Sequence, residues 1–105
     1  MFAMLACITS SMAKPRFKSI NNYGNSTTIV LEEKEGVDRE DIRSGVFYNN
    51  GKQYEAKSIS VDSRGGKSYI TLKFKRCTRF ENTRVSVNIN GREENIVLRL
   101  GGLIH

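Results

Sequence analysis

Apolar and polar residues alternate with a period of two along much of this chain. Ile70, Leu72 and Phe74 alternate with Tyr69, Thr71, Lys73 and Lys75. Successive side chains on a strand point to opposite faces, so this segment predicts a core face and an outer face that carries one ring and two lysines. Ile59 and Val61 alternate with Ser58 and Ser60, and Val85, Val87 and Ile89 with Ser86 and Asn88. A regular strand continued back from Ile59 would place Tyr54 on the same outer side as Ser58 and Ser60. Ile29-Val30-Leu31 is a continuous apolar triplet, as a strand covered on both faces would show. Val46-Phe47-Tyr48 runs into Asn49-Asn50-Gly51 and then Gln53-Tyr54-Glu55. Asn-Gly between strand-forming runs predicts a tight hairpin, because a type I′ turn needs positive φ at both central residues. Asn90-Gly91 repeats that signal before Ile96-Val97-Leu98-Arg99-Leu100, and Ser63-Arg64-Gly65-Gly66 supplies a third turn. No ten-residue stretch carries a capped helical period. Residues 36–44 have room for one short helical turn.

Three hairpins within about 55 residues predict an antiparallel meander. It must close into a barrel or fold over as a sandwich, since a single open sheet leaves its edges unprotected. The expected fold is therefore all-β, a small antiparallel OB-like barrel, with an immunoglobulin-like β-sandwich as the second form. The domain is expected over residues 16–105. Residues 1–15 read as a flexible or partner-docked tail ending at Pro15, with Met12 as a possible internal start. Leu5-Ala6-Cys7 faintly resembles a lipidation site. The apolar start is far shorter than the ~20 residues that span a bilayer, so no membrane span is expected there.

Charge changes this picture. The chain has 105 residues, 17 Lys and Arg against 11 Asp and Glu, and a net charge of +6. Lys14, Arg16 and Lys18 are basic, residues 19–63 are net acidic, and residues 64–105 are strongly basic. The densest patch is Lys73-Phe74-Lys75-Arg76-Cys77-Thr78-Arg79. Such a patch favours an acidic partner, nucleic acid among them. The acidic run Glu32-Glu33-Lys34-Glu35 with Asp38, Glu40 and Asp41 reads as a solvated loop.

Catalytic chemistry is hard to assemble from these residues. The single histidine, His105, is terminal, so no Ser/His/Asp or Cys/His arrangement is expected. Arg64-Gly65-Gly66-Lys67 lacks the spacing of a phosphate-binding loop. The carboxylates cluster locally and do not flank a cleft. Cys7 and Cys77 make no disulfide framework, and no closed zinc site can be built. Arg76 and Arg79 could lower the Cys77 thiol pKa, but a small half-buried hydrophobe is the plainer reading. No enzyme, cofactor or metal is expected.

Rings interleaved with lysine and arginine suit single-stranded nucleic acid, where bases stack and cations hold phosphates. Arg43-Ser44-Gly45-Val46, followed by Asn50-Gly51-Lys52-Gln53-Tyr54, resembles the single-stranded-DNA-binding proteins of filamentous bacteriophages. Gly66-Lys67-Ser68-Tyr69 and the arginine-bearing Ile96-Val97-Leu98-Arg99-Leu100 are similar to later segments of that family, and Thr28-Ile29-Val30-Leu31 to its first strand. The resemblance spans roughly residues 28–100. It implies an OB-like barrel that dimerises and coats DNA, acting in the cytoplasm of a host cell. It implies DNA contacts from Arg43, Tyr54, Tyr69 and Arg99, with phosphate contacts from Lys73 or Lys75. Charge adds Lys52, Arg76 and Arg79 to the candidate set. Asn49 and Asn50 depart from the family by standing where a further arginine would be wanted, and residues 1–27 have no counterpart in it. The ending Ile96 to Gly102 also resembles ubiquitin-like tails, but that fold needs a long helix. Two other functions fit the same charge: a sandwich module in a virion or surface assembly, and a small inhibitor that docks on an acidic protein. A homodimer or higher oligomer is expected.

Overall fold

The computed structural model describes residues 15–34 and 36–98. The expectations for the 1–14 tail and for Arg99 lie outside those residues. Among the described residues there are eight strands: β1 (Arg16–Tyr23), β2 (Ser26–Glu33), β3 (Ile42–Asn49), β4 (Lys52–Glu55), β5 (Ser58–Arg64), β6 (Lys67–Lys75), β7 (Arg84–Ile89) and β8 (Arg92–Val97). A single 3-10 turn, Arg39–Asp41, falls inside the segment where a short helical turn was expected. The strands form four hairpins, each joined by two residues. At Asn50-Gly51 the φ angles are 52° and 79°, the left-handed pair that a type I′ turn requires. Gly65-Gly66 and Asn90-Gly91 make the same turn. The fourth hairpin, at Gly24-Asn25, was not expected.

The hairpins alternate between two antiparallel sheets. One sheet has the order β1-β2-β6-β5 and the other β4-β3-β7-β8. The fold is all-β, as the alternation predicts. It is a sandwich in its stacking and barrel-like at one corner, where the chain passes directly from β4 to β5. There the Ala56 N–H donates to the Gly45 carbonyl of one sheet (2.9 Å), and the Lys57 N–H to the Lys73 carbonyl of the other (2.6 Å). A Cβ on Gly45 would lie 3.1 Å from Leu72 Cδ2, so the close approach of the sheets at this corner favours glycine.

Ile29, Leu31, Ile70, Leu72, Phe74, Phe47, Val85, Val87 and Ile89 are buried between the sheets. Phe47 is the aromatic hub, with ring centroids 5.4 Å from Phe74, 6.2 Å from Tyr54 and 6.3 Å from Phe80. On the edge strand β8, Arg92 and Glu94 stand in register with the core residues Ile89 and Val87 and pair at 2.9 Å. Inward-facing charge on an edge strand discourages pairing with another sheet.

Three expectations are corrected. The triplet Ile29-Val30-Leu31 is covered on one face only: Ile29 and Leu31 are buried, and Val30 is half-buried on the outer face between Ser19 and Thr71. The acidic run is not all loop, since Glu32 and Glu33 complete β2 and Glu33 is buried. Tyr54 does not share a face with Ser58 and Ser60. It stands opposite Phe47 in the other sheet and is half-buried against the core, because the corner at Ala56-Lys57 breaks the phase between β4 and β5.

Candidate functional site

The segment 76–83 carries the chain from β6 across the end of the sandwich to β7. Side chains from two hairpins fasten it. Asn49, buried at the end of β3, donates from Nδ2 to the Arg79 carbonyl (2.7 Å) and accepts the Glu81 N–H at Oδ1 (2.9 Å). Asn49 therefore fills a structural role at the point where an arginine would have suited the family resemblance. From the other sheet, the Thr27 hydroxyl accepts the Cys77 N–H (2.8 Å) and itself donates to Asn22 Oδ1 (2.6 Å). Asn22 Nδ2 in turn donates to the Cys77 carbonyl (2.9 Å). The Arg76 guanidinium donates to the Gly24 carbonyl in the β1–β2 turn (2.7 Å). The crossover is thus pinned by polar groups whose own needs are met.

This pinning forms a cleft of about 240 Å³ lined by Asn49, Asn50, Lys52, Tyr54, Arg76, Cys77, Thr78 and Arg79. No carboxylate is among these residues. Lys52, Arg76 and Arg79 are exposed, and Lys75 stands beside them at the end of β6. Among the described residues none of these four cations, nor Lys73, makes an ion pair. The cleft therefore presents positive charge that is not cancelled locally. Cys77 forms its floor: it is 7% exposed and belongs to the core cluster, matching the plainer expectation for it. Burial, followed by its contact with the Cys77 thiol, pushes the Tyr54 phenol above its ordinary pKa.

Holding that proton more tightly in the folded state ties stability to pH. The contribution is intact below the ordinary tyrosine value and is lost as pH rises through the raised one. Tyr54→Phe is therefore expected to delete, from an alkaline absorbance titration, a tyrosine that ionises above the ordinary value. Loss of a tyrosine that ionises at or below the ordinary value would contradict the half-buried placement of this ring.

The remaining candidates lie elsewhere. Lys73 projects from the outer face of the first sheet, in the row Asn21, Thr28, Lys73 and Ser58. Tyr69 shares that face but sits at the far end, directly between Glu32 and Asp62. There Lys67 pairs with Glu32 at 2.9 Å and Arg64 with Asp62 at 2.8 Å, while the Arg64 guanidinium lies 5.9 Å from the Tyr69 ring centroid. Lys67 holds the Glu32 carboxyl below its usual pKa, and Glu32 raises that of Lys67. The charge around Tyr69 is thus locally balanced. Arg43 is exposed on a bulge at the start of β3, with its guanidinium near the Asn90-Gly91 turn, also away from the cleft. The structure thus brings Lys52, Tyr54, Lys75, Arg76 and Arg79 together and leaves Arg43 and Tyr69 at the other end. Tyr23 is an exposed ring beside this group that the sequence reading passed over, because β1 itself was not legible.

Fold and site define a small two-sheet β domain with an unbalanced cationic cleft at one end. The chain belongs to the family described as a domain of unknown function, DUF8177, whose model matches residues 16–100. No curated protein and no solved structure matches it.

Proposed function

We propose that this protein is a non-enzymatic binder of single-stranded nucleic acid, which it grips by its phosphates at the end cleft. The observation that carries this reading is the gathering of Lys52, Arg76 and Arg79, with Lys75 beside them, around a cleft with no carboxylate among its described lining residues. Cations without a carboxylate partner gain most from phosphates, and their binding releases counterions. The half-buried Tyr54 ring and the amide of the exposed Asn50 give the cleft apolar and hydrogen-bonding surface besides charge.

Fluorescence anisotropy with a labelled single-stranded oligonucleotide tests the reading. Four phosphate contacts predict that log K falls with log salt at a slope of about −3. Lys52→Ala combined with Arg79→Ala removes two contacts. Neither side chain donates a hydrogen bond to any described residue, so the fold should be unaffected. The double variant is expected to bind more weakly at every oligonucleotide sequence and to lower the slope by about 1.4. An absence of binding by the wild-type protein at low salt would refute the reading.

A further inference from the structure

Resting on that reading, we propose that Tyr23 is a base-stacking position, and that the bound strand runs from the cleft past Arg76 onto the outer face of the first sheet at Tyr23. Tyr23 ends the edge strand β1 and is 81% exposed, the more exposed of the two large apolar side chains that the described residues leave in solvent. Its place in the sheet is defined. It stands in register with Ser26, which stands in register with Lys75, so the three side chains form one row on the outer face. Neighbouring strands are about 4.8 Å apart, which sets the ring and the Lys75 ammonium on one short stretch of surface. The next row inward is Asn21, Thr28, Lys73 and Ser58. Neither row contains a carboxylate. Two rows further along, Glu32 and Asp62 flank Tyr69, so the stacking ring assigned here is Tyr23 and not Tyr69.

The link to the cleft is Arg76. It spends part of its guanidinium on the Gly24 carbonyl, one residue from Tyr23 (2.7 Å). The two-residue turn that follows Tyr23 is thereby held against the crossover that carries Arg79. A strand whose phosphates lie over Arg79, Arg76 and Lys75 brings its next base to an open tyrosine face. Stacking on that face needs an unpaired base, which commits the site to single strands.

The chain contains no tryptophan, so Tyr23→Trp creates a sole indole reporter at the proposed position. Its fluorescence is expected to be quenched by oligothymidylate and unchanged by inorganic polyphosphate, a probe with phosphates and no bases. Tyr23→Ala is expected to weaken oligothymidylate binding about five- to hundredfold with the salt slope unaltered, since no phosphate contact is lost, and to leave polyphosphate binding unchanged. Tyr23→Phe, which keeps the ring, should bind like the wild type. Quenching by both probes, or equal loss of both ligands in Tyr23→Ala, would overturn the stacking assignment. So would full oligothymidylate affinity in Tyr23→Ala; if Lys52 and Arg79 still mattered, the cleft reading would stand alone. No binding of oligothymidylate by the wild type would overturn both.

Discussion

Phe47→Ala is expected to destabilise the domain by about 3–5 kcal/mol, the usual cost of emptying a large aromatic site in a core. That is a large share of the 5–15 kcal/mol that holds a typical domain folded. Phe47 is fully buried and touches the rings of Phe74, Phe80 and Tyr54. Its removal therefore leaves a void between the sheets, which the backbone, fixed by hairpins on both sides, has little freedom to fill. Urea unfolding followed by circular dichroism should show a lower midpoint with an unchanged slope, or no folded state at all. Phe47→Leu keeps most of the volume and should lose less. A Phe47→Ala midpoint close to that of the wild type would contradict the placement of this ring at the centre of the core. Tyr54 packs on the same ring, so any surviving Phe47→Ala protein should also bind oligonucleotide less well.

Asn49→Ala is expected to have the second-largest effect, and a more local one. It leaves the Arg79 carbonyl and the Glu81 N–H without the partners they have at 2.7 and 2.9 Å. A buried group stripped of its partner costs about 1–3 kcal/mol. The crossover should loosen before the sheets do. Hydrogen exchange should show protection lost at the Glu81 amide while the amides of β2 and β6 keep theirs, and oligonucleotide affinity should fall because Arg79 is no longer positioned. An unchanged Glu81 amide would rule out the clamp. Asn49→Asp keeps the acceptor for Glu81 but sets a carboxylate oxygen against the Arg79 carbonyl, so it should rescue only part of the protection.

Much of the fold was legible because hairpin chemistry is local. Asn50-Gly51 and Asn90-Gly91 announce their turns by residue type, and the alternation through Ile70, Leu72 and Phe74 names the inward face of β6 correctly. β1 was not legible because a bulge between Phe17 and Ser19 shifts its register. Phe17 and Ile20, three residues apart, therefore both face the core and no period of two survives. Tyr54 was placed on the wrong face because nothing in its own neighbourhood marks the change of sheet at Ala56-Lys57. The density of charge from Lys73 to Arg79 was visible, whereas its meeting with Lys52 depends on the β3–β4 turn lying beside the crossover. The role of Asn49 was invisible for the same reason: its partners, Arg79 and Glu81, are some thirty residues away in sequence.

The way the crossover is fastened separates what recognises from what supports. Cys77 is held through its backbone by Thr27 and Asn22, and Arg79 and Glu81 through theirs by Asn49. Backbone groups are the same whatever side chain they carry. The outward residues at 78 and 79 can therefore be exchanged without disturbing the clasps that shape the segment, whereas Arg76 is itself a clasp through its guanidinium on the Gly24 carbonyl. Mutational tolerance should be high at positions 78 and 79 and low at Thr27 and Asn49, so that relatives could change ligand while keeping one scaffold.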